Sequence, residues 1–338
     1  MFKKTYKFEG GINKGYCVDG NELIFQSGNL LRKFNLASKI LLNEHLLDRV
    51  SIQKIVKNGN MFVGLSNSQI CFFDSNLQNI DIRRFNYSEF NVFQNNYLIN
   101  IKDFDYSTMK GRYGLFDLSL GSEIWEIDTG EIIIVESNLA FVASPKSIGL
   151  REIMSGDQIW SIEISNEYMQ PVLIGVKEKL VIFGLRKAGK LIAIDFNTGQ
   201  IVWERAAIID GLKIDQNNNF IHQMMINYTK YDINTGEQIF SFINNEYFES
   251  IGIETQRSNY ALMRKNIITT DYKKGNIGAF NTENYIFNWI HKEGGVNFPS
   301  SNPIIYNDPY LLVLDNIGDL HVFEEVNFIE PGHTTLKL

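Results

Sequence analysis

Residues 191–203, Leu-Ile-Ala-Ile-Asp-Phe-Asn-Thr-Gly-Gln-Ile-Val-Trp, constrain the fold more than any other stretch, because their pattern returns along the whole chain. Alternating apolar residues Leu191 and Ala193 build a strand. Asn197-Thr198-Gly199 supplies a tight turn in which glycine takes positive φ, and Ile201 to Trp203 begin the returning strand. The unit is a hairpin, and a hairpin alone does not bury a core.

Related units are found by aligning on Ile194, the residue before the Asp. The equivalent positions are Phe34, Phe73, Phe116, Arg151, Ile194, Tyr231, Phe280 and Phe323, each followed by Asn, Asp or Glu. Eight copies at intervals near forty residues account for the full 338 residues, and that period belongs to four-stranded propeller blades. Counting eight residues on from the acidic or Asn position gives Trp125, Trp160, Trp203, Phe240 and Trp289. All four tryptophans of the chain fall on this position, which marks a repeated packing slot between neighbouring blades. Gly121, Gly156, Gly199 and Gly236 share one turn position.

Two further apolar runs precede each unit, for example 172–176 and 180–185, so each copy supplies four antiparallel strands. No long stretch has the 3.6-residue period of an amphipathic helix. Residues 5–9 are then a spare strand, expected to complete the last blade and close the ring, with 335–338 as the alternative outer strand. The expectation is an all-β chain: one β-propeller domain over residues 1–338, of about eight four-stranded blades. Seven is the alternative, because copies one, two and eight carry Lys39, Gln78 and Phe328 at the glycine position.

The run Ala193-Ile-Asp195-Phe-Asn-Thr198-Gly199-Gln-Ile-Val-Trp203 resembles the repeat of PQQ-type, quinoprotein-like β-propellers, Ala-x-Asp-x-x-Thr-Gly-x-x-x-Trp, at every fixed position. Tyr231 to Phe240 match except for Phe in place of Trp; the copies ending in Trp125 and Trp160 keep the Gly and the Trp. The resemblance implies a propeller whose Trp docks between blades. It leaves function open, since the family includes alcohol dehydrogenases, outer-membrane assembly scaffolds and other binding proteins. The dehydrogenases would bring a secretion signal, an adjacent Cys-Cys pair and a Ca²⁺ site; this sequence shows neither the signal nor the pair. The scaffolds carry a lipoprotein signal that is also missing here.

Net charge of −7 sets aside general attraction to nucleic acid or an anionic membrane and suits a basic protein partner. Nowhere do 18 apolar residues run together, so no membrane insertion is expected. With no apolar segment behind the basic N-terminus, the expected location is cytoplasmic, unless a signal peptide has been removed from the sequence. Cys17 and Cys71 sit in no metal or redox spacing and read as buried thiols. The five histidines, His45, His222, His291, His321 and His333, form no ligand motif, and Asp103-Phe-Asp105-Tyr-Ser107 lacks the Gly and Glu of a calcium loop. Nucleotide-binding and hydrolase fingerprints are absent, so no metal, cofactor or catalytic residue is assigned. Asp315 and Asp319 flank a turn and read as turn caps.

Binding residues are instead sought on the loops between second and third strands and between blades, which share one propeller face. The longest is 102–113, with Tyr106, Met109, Lys110 and Arg112; copies five and seven add Arg186, Lys187 and Lys190, and Tyr272, Lys273 and Lys274. Between-blade loops supply Glu126, Asp128 and Glu131, and residues 244–249 with Tyr247 and Phe248. Such a mixed face suits a protein partner. The reading is a monomeric, non-enzymatic binding protein, in its specific form a cytoplasmic inhibitor such as an immunity protein against a toxin. The alternatives are an extracytoplasmic assembly scaffold and an enzyme using a small ligand in the central channel.

Overall fold

The computed structural model describes residues 1–326 except 49, 67–68, 85–88, 95–96, 106–109, 118–119, 121, 130, 137, 145–146, 165–170, 226, 243–244, 255–258 and 300. Eight four-stranded antiparallel sheets follow one another along the chain, making an eight-bladed β-propeller. Blades one to eight span residues 12–46, 54–84, 89–129, 131–163, 171–206, 212–242, 260–292 and 304–325. The described helical elements are a short helix, Asn245–Ile251, and a 3-10 turn, Arg186–Ala188.

Each of the eight aligned positions lies in the third strand of its blade, such as Lys190–Asp195 in blade five. At that point every outer strand carries a β-bulge. In blade five Ala193 pairs with Trp203 and Ile194 with Ile201, leaving Val202 as the extra residue. The same step recurs at Lys33/Phe34, Phe72/Phe73, Leu115/Phe116, Leu150/Arg151, Lys230/Tyr231 and Ala279/Phe280. A bulge at one register bends each outer strand alike and aims its next residue at the neighbouring blade.

The expected spare strand is observed as Phe2–Phe8, the outer strand of blade eight, antiparallel to Leu320–Glu325. Its bulge falls at the same level: Val322 pairs with Tyr6 and Phe323 with Lys4. Tyr6 therefore occupies the register position held by Trp203 in blade five.

The chain divides into two compact units, Met1–Leu46 with Asn244–Leu338, and Leu47–Ile243. In each, the core lies in layers between successive blades. Within the second unit, Ile192 and Ile194 enter the layer shared by blades four and five, while Leu191 and Ala193 enter that of blades five and six. Third strands are covered on both sides, so their apolar residues run continuously. Within the first unit, Phe25 and Phe34 pack with Leu312 and Val322, and Phe2 with Ile277, Leu311 and Phe323.

Two sequence expectations change. Most of 102–113 is strand: Tyr97–Asp105 and Lys110–Asp117 form an extended hairpin in which Asp103 lies opposite Arg112 and Asp105 opposite Lys110. The region 244–249, expected as a loop, contains the helix Asn245–Ile251, which buries Phe248. Cys71 is buried, and burial pushes its thiol up to about 11; Cys17 is half-buried.

Candidate functional site

The hairpin unit is structural in every part. Asp195 Oδ1 accepts the N–H groups of Asn197 (3.0 Å) and Thr198 (2.8 Å) and the Thr198 hydroxyl (2.9 Å). Hydrogen bonds from Thr198 hold its carboxyl below the usual carboxylate range. Asp232 repeats the arrangement with Asn234 and Thr235. Gly199 takes φ 71°, and a Cβ there would stand 2.7 Å from the Trp160 ring; at Gly236, φ 68°, it would stand 2.5 Å from Trp203. The glycines thus serve both the turn and the close approach of the preceding blade's Trp. Three indoles also donate to the next blade: Trp125 Nε1 to Ile153 O (2.5 Å), Trp160 to Phe196 O (2.8 Å) and Trp203 to Ile233 O (3.0 Å).

Trp289 occupies the same register and packs edge-on to Phe2 (5.3 Å between ring centroids) and Phe323 (5.7 Å). Phe240 is half-buried, its ring 6.2 Å from that of Tyr228 in its own blade.

The cations expected to bind a partner are engaged with acids of neighbouring strands and connections. Arg112 contacts Glu126 (3.0 Å), Arg186 contacts Asp210 (2.8 Å), Lys190 contacts Glu204 (2.7 Å) and Lys273 contacts Glu254 (2.7 Å). Tyr272 also donates to Glu254, and the Lys273 ammonium lies 5.0 Å from the Tyr272 ring centroid. These partners raise the Lys273 pKa above the ordinary lysine value, the Glu254 hydrogen bond most. Lys187 and Lys274 are exposed. Tyr106 and Met109 lie outside the described residues, as does the side chain of Lys110.

Tyr247 and Phe248 differ from the rest. The Tyr247 hydroxyl accepts the Phe287 N–H (2.9 Å), and Phe248, 3% exposed, packs against Phe280 and Phe287. Their place in the helix explains this, since it lays Phe248 inward. Phe248 is a core residue.

Within the second unit, the turn between second and third strands of blade five, the connection to blade six and the corresponding turn of blade six enclose a groove of about 520 Å³. Its lining includes Gly189, Ala206, Ala207, Ile208, Gln223, Met225, Asn227, Thr229, Tyr231, Gln238 and Ser241. Gly189, φ 60°, ends the Arg186–Ala188 turn, and its carbonyl accepts the Ala207 N–H (2.8 Å). Gln223, buried, donates through Nε2 to Ile208 O and Asp210 O, both at 2.7 Å, fixing the connection to blade six. Sequence reasoning located the loops but missed this groove, because neutral Asn, Gln, Thr and Ser between strands look like any solvated turn.

Sequence reasoning also missed two buried polar sets. Asp315 caps its turn, accepting from Ile317 and Asp319, as expected, but its Oδ2 also contacts His321 Nε2 at 2.8 Å, with both residues buried. In blade six His222 Nδ1 lies 2.9 Å from the Tyr228 hydroxyl and Nε2 lies 3.6 Å from Asp215. Burial lowers the pKa of both histidines, that of His222 to about 4. Among the described residues no group of three or more His, Cys, Asp or Glu is placed to hold a metal ion, and no helix is long and apolar enough to cross a membrane.

No protein-family model matches the chain, and no curated protein matches it. Solved structures do. The C-terminal WD40 domain of Sif2 superposes with a TM-score of 0.66 at 9% identity, covering 97% of this chain and 99% of that one. A europium-containing methanol dehydrogenase gives 0.65 at 10%, covering 96% and 93%. BamB from Moraxella catarrhalis gives 0.64 at 12%, covering 96% and 98%. An enzyme stands among neighbours of equal likeness, so at these identities the comparisons establish the fold alone: this chain is an eight-bladed β-propeller.

Proposed function

We propose that this chain is a non-enzymatic binding protein that engages a protein partner through the loops joining its strands. The observation that carries this reading is the set of exposed ion pairs on those loops, Arg186 with Asp210 and Lys273 with Glu254, the latter beside Tyr272. Exposed pairs of this kind add little to stability. Their charges are therefore free to re-pair with a partner at small cost, and Arg and Tyr are residues that anchor interfaces. The net charge of −7 favours a basic partner through long-range steering. In the specific form of the proposal the protein is a monomeric cytoplasmic inhibitor that masks a basic enzyme, as an immunity protein masks a toxin.

The test is co-purification with the products of neighbouring genes, followed by affinity measurement. Changing Arg112→Glu, Arg186→Glu and Lys273→Glu together should weaken the complex while leaving the melting temperature near that of the parent. Unaltered affinity would sink the loop-face reading.

A further inference from the structure

Among the described residues, the groove between blades five and six is lined by no charged side chain. Its walls are the apolar Ala206, Ile208 and Met225, and its polar groups are the carboxamide of Asn227 and the hydroxyls of Thr229 and Ser241. The two hydroxyl oxygens stand 3.4 Å apart, too far to satisfy one another fully. Asn227 Oδ1 is buried and has no hydrogen-bond partner among the described residues. An unsatisfied buried acceptor is unfavourable in the free protein, and a ligand N–H would relieve it once rotation of the Asn227 side chain turns Oδ1 into the groove. The volume, about 520 Å³, lies in the range of ligand sites. Ile208, 65% exposed, presents a large apolar side chain to solvent at the margin.

We propose that this groove takes an extended, uncharged peptide segment of the partner protein, with a main-chain amide bonded to Asn227 and an apolar side chain against Ile208 and Met225. This rests on the loop-face reading above and names the place where the partner inserts. Three features select this occupant. A charged or phosphorylated ligand would lose hydration without gaining a counter-charge, because no charged side chain among the described residues lines the groove. A carboxamide beside two hydroxyls complements a main chain that alternates donor and acceptor. A saccharide would need an aromatic face, and the aromatic in the lining, Tyr231, is 5% exposed and committed to the layer that holds Trp203.

The experiment pans a phage-displayed library of short linear peptides against the intact chain and measures the enriched peptides, made synthetically, by calorimetry. Ala206→Trp fills the groove from an exposed position at the end of a strand. Asn227→Ala removes the unpaired acceptor. Peptides of uncharged, apolar-containing sequence should bind the parent and lose affinity roughly tenfold or more in each variant, with melting temperatures no lower than the parent's. Asn227→Ala should raise the melting temperature, a readout independent of any ligand.

Failure to enrich peptides, or equal binding to Ala206→Trp, would overturn the groove proposal. Peptides that ignore Ala206→Trp but fall away in the Arg112, Arg186, Lys273 reversal would overturn it too, while leaving the loop-face reading intact. Binding of a glycan array that Ala206→Trp abolishes would assign the site to saccharide and likewise overturn the peptide.

Discussion

Blade five and blade eight meet their following neighbours at the same register with different chemistry. In blade five the Trp203 ring lies against Gly236 of the next turn and donates to Ile233 O. In blade eight the equivalent residue is Tyr6, 37% exposed, whose ring sits 5.1 Å from Phe34 of blade one and 4.5 Å from Phe8. The first contact is made by a hairpin that is continuous in sequence. The second is made by a strand that arrives from the N-terminus and has no turn to hold it, so it is held by other means. Phe2 is buried against Trp289 and Tyr306, Lys4 bonds Glu293 at 2.5 Å, and Lys7 bonds Asp319 at 2.7 Å. A slot filled within one hairpin depends on local geometry, whereas one filled by a distant strand depends on several long-range contacts forming together.

This contrast can be tested from the largest effect down. Removing residues 1–8 should lower the melting temperature more than any single substitution, because Leu320–Glu325 becomes a bare edge and the Phe2 contacts go with it. An unchanged melt would mean the closing strand contributes nothing. Trp203→Ala should cost on the order of 3–5 kcal/mol in denaturant unfolding as a buried aromatic truncation. Tyr6→Ala should cost roughly 1 kcal/mol, its ring being partly in solvent; equal losses would remove the distinction between the two slots.

Acid should affect both units. His222 is held at about 4 by burial, below its ordinary 6.5, so its contribution is full above pH 6.5 and is lost as pH falls toward 4. The loss is on the order of 3 kcal/mol. His321 is shifted in the same direction by burial. His222→Gln should flatten the acid limb of a melting-temperature profile, leaving the part due to His321; an unchanged limb would show that His222 is already charged in the fold.

The smallest effect concerns a degenerate turn. Lys39 holds the position of Gly199 at φ 59°, and Tyr285 does so at φ 61°. At these two positions the backbone keeps its left-handed turn without the glycine, at a strain of about 1 kcal/mol. Lys39→Gly should raise stability by roughly 0.5–1 kcal/mol, read from the midpoint of a denaturant melt.

The eight-copy period, the Trp register and the closing role of the N-terminal strand were legible in the sequence because each depends on spacing along the chain. Lys39 at the glycine position made the blade count look doubtful, yet the turn it occupies is unchanged. The loops chosen for binding were legible only as places. That Arg186 meets Asp210, that Phe248 turns inward on a helix and that 102–113 is largely hairpin all depend on what lies across from each residue, which spacing does not encode. The groove at Asn227 gave no sequence signal, since its polar residues are the ordinary contents of turns.

The sequence by itself determined a repeated four-stranded unit, its packing slot and its turn chemistry, because hydrophobic alternation, positive-φ glycine and aromatic placement act over a few residues. The tertiary structure decided which residues are available to a ligand. It set Trp203 against Gly236, put Tyr6 in the last slot, buried His222 and His321 beside carboxylates and left Asn227 with an unpaired acceptor beside an open groove. Those outcomes depend on which blades face one another, and a residue's burial, charge state and spare hydrogen bonds are fixed by that neighbour and not by its own position in the repeat.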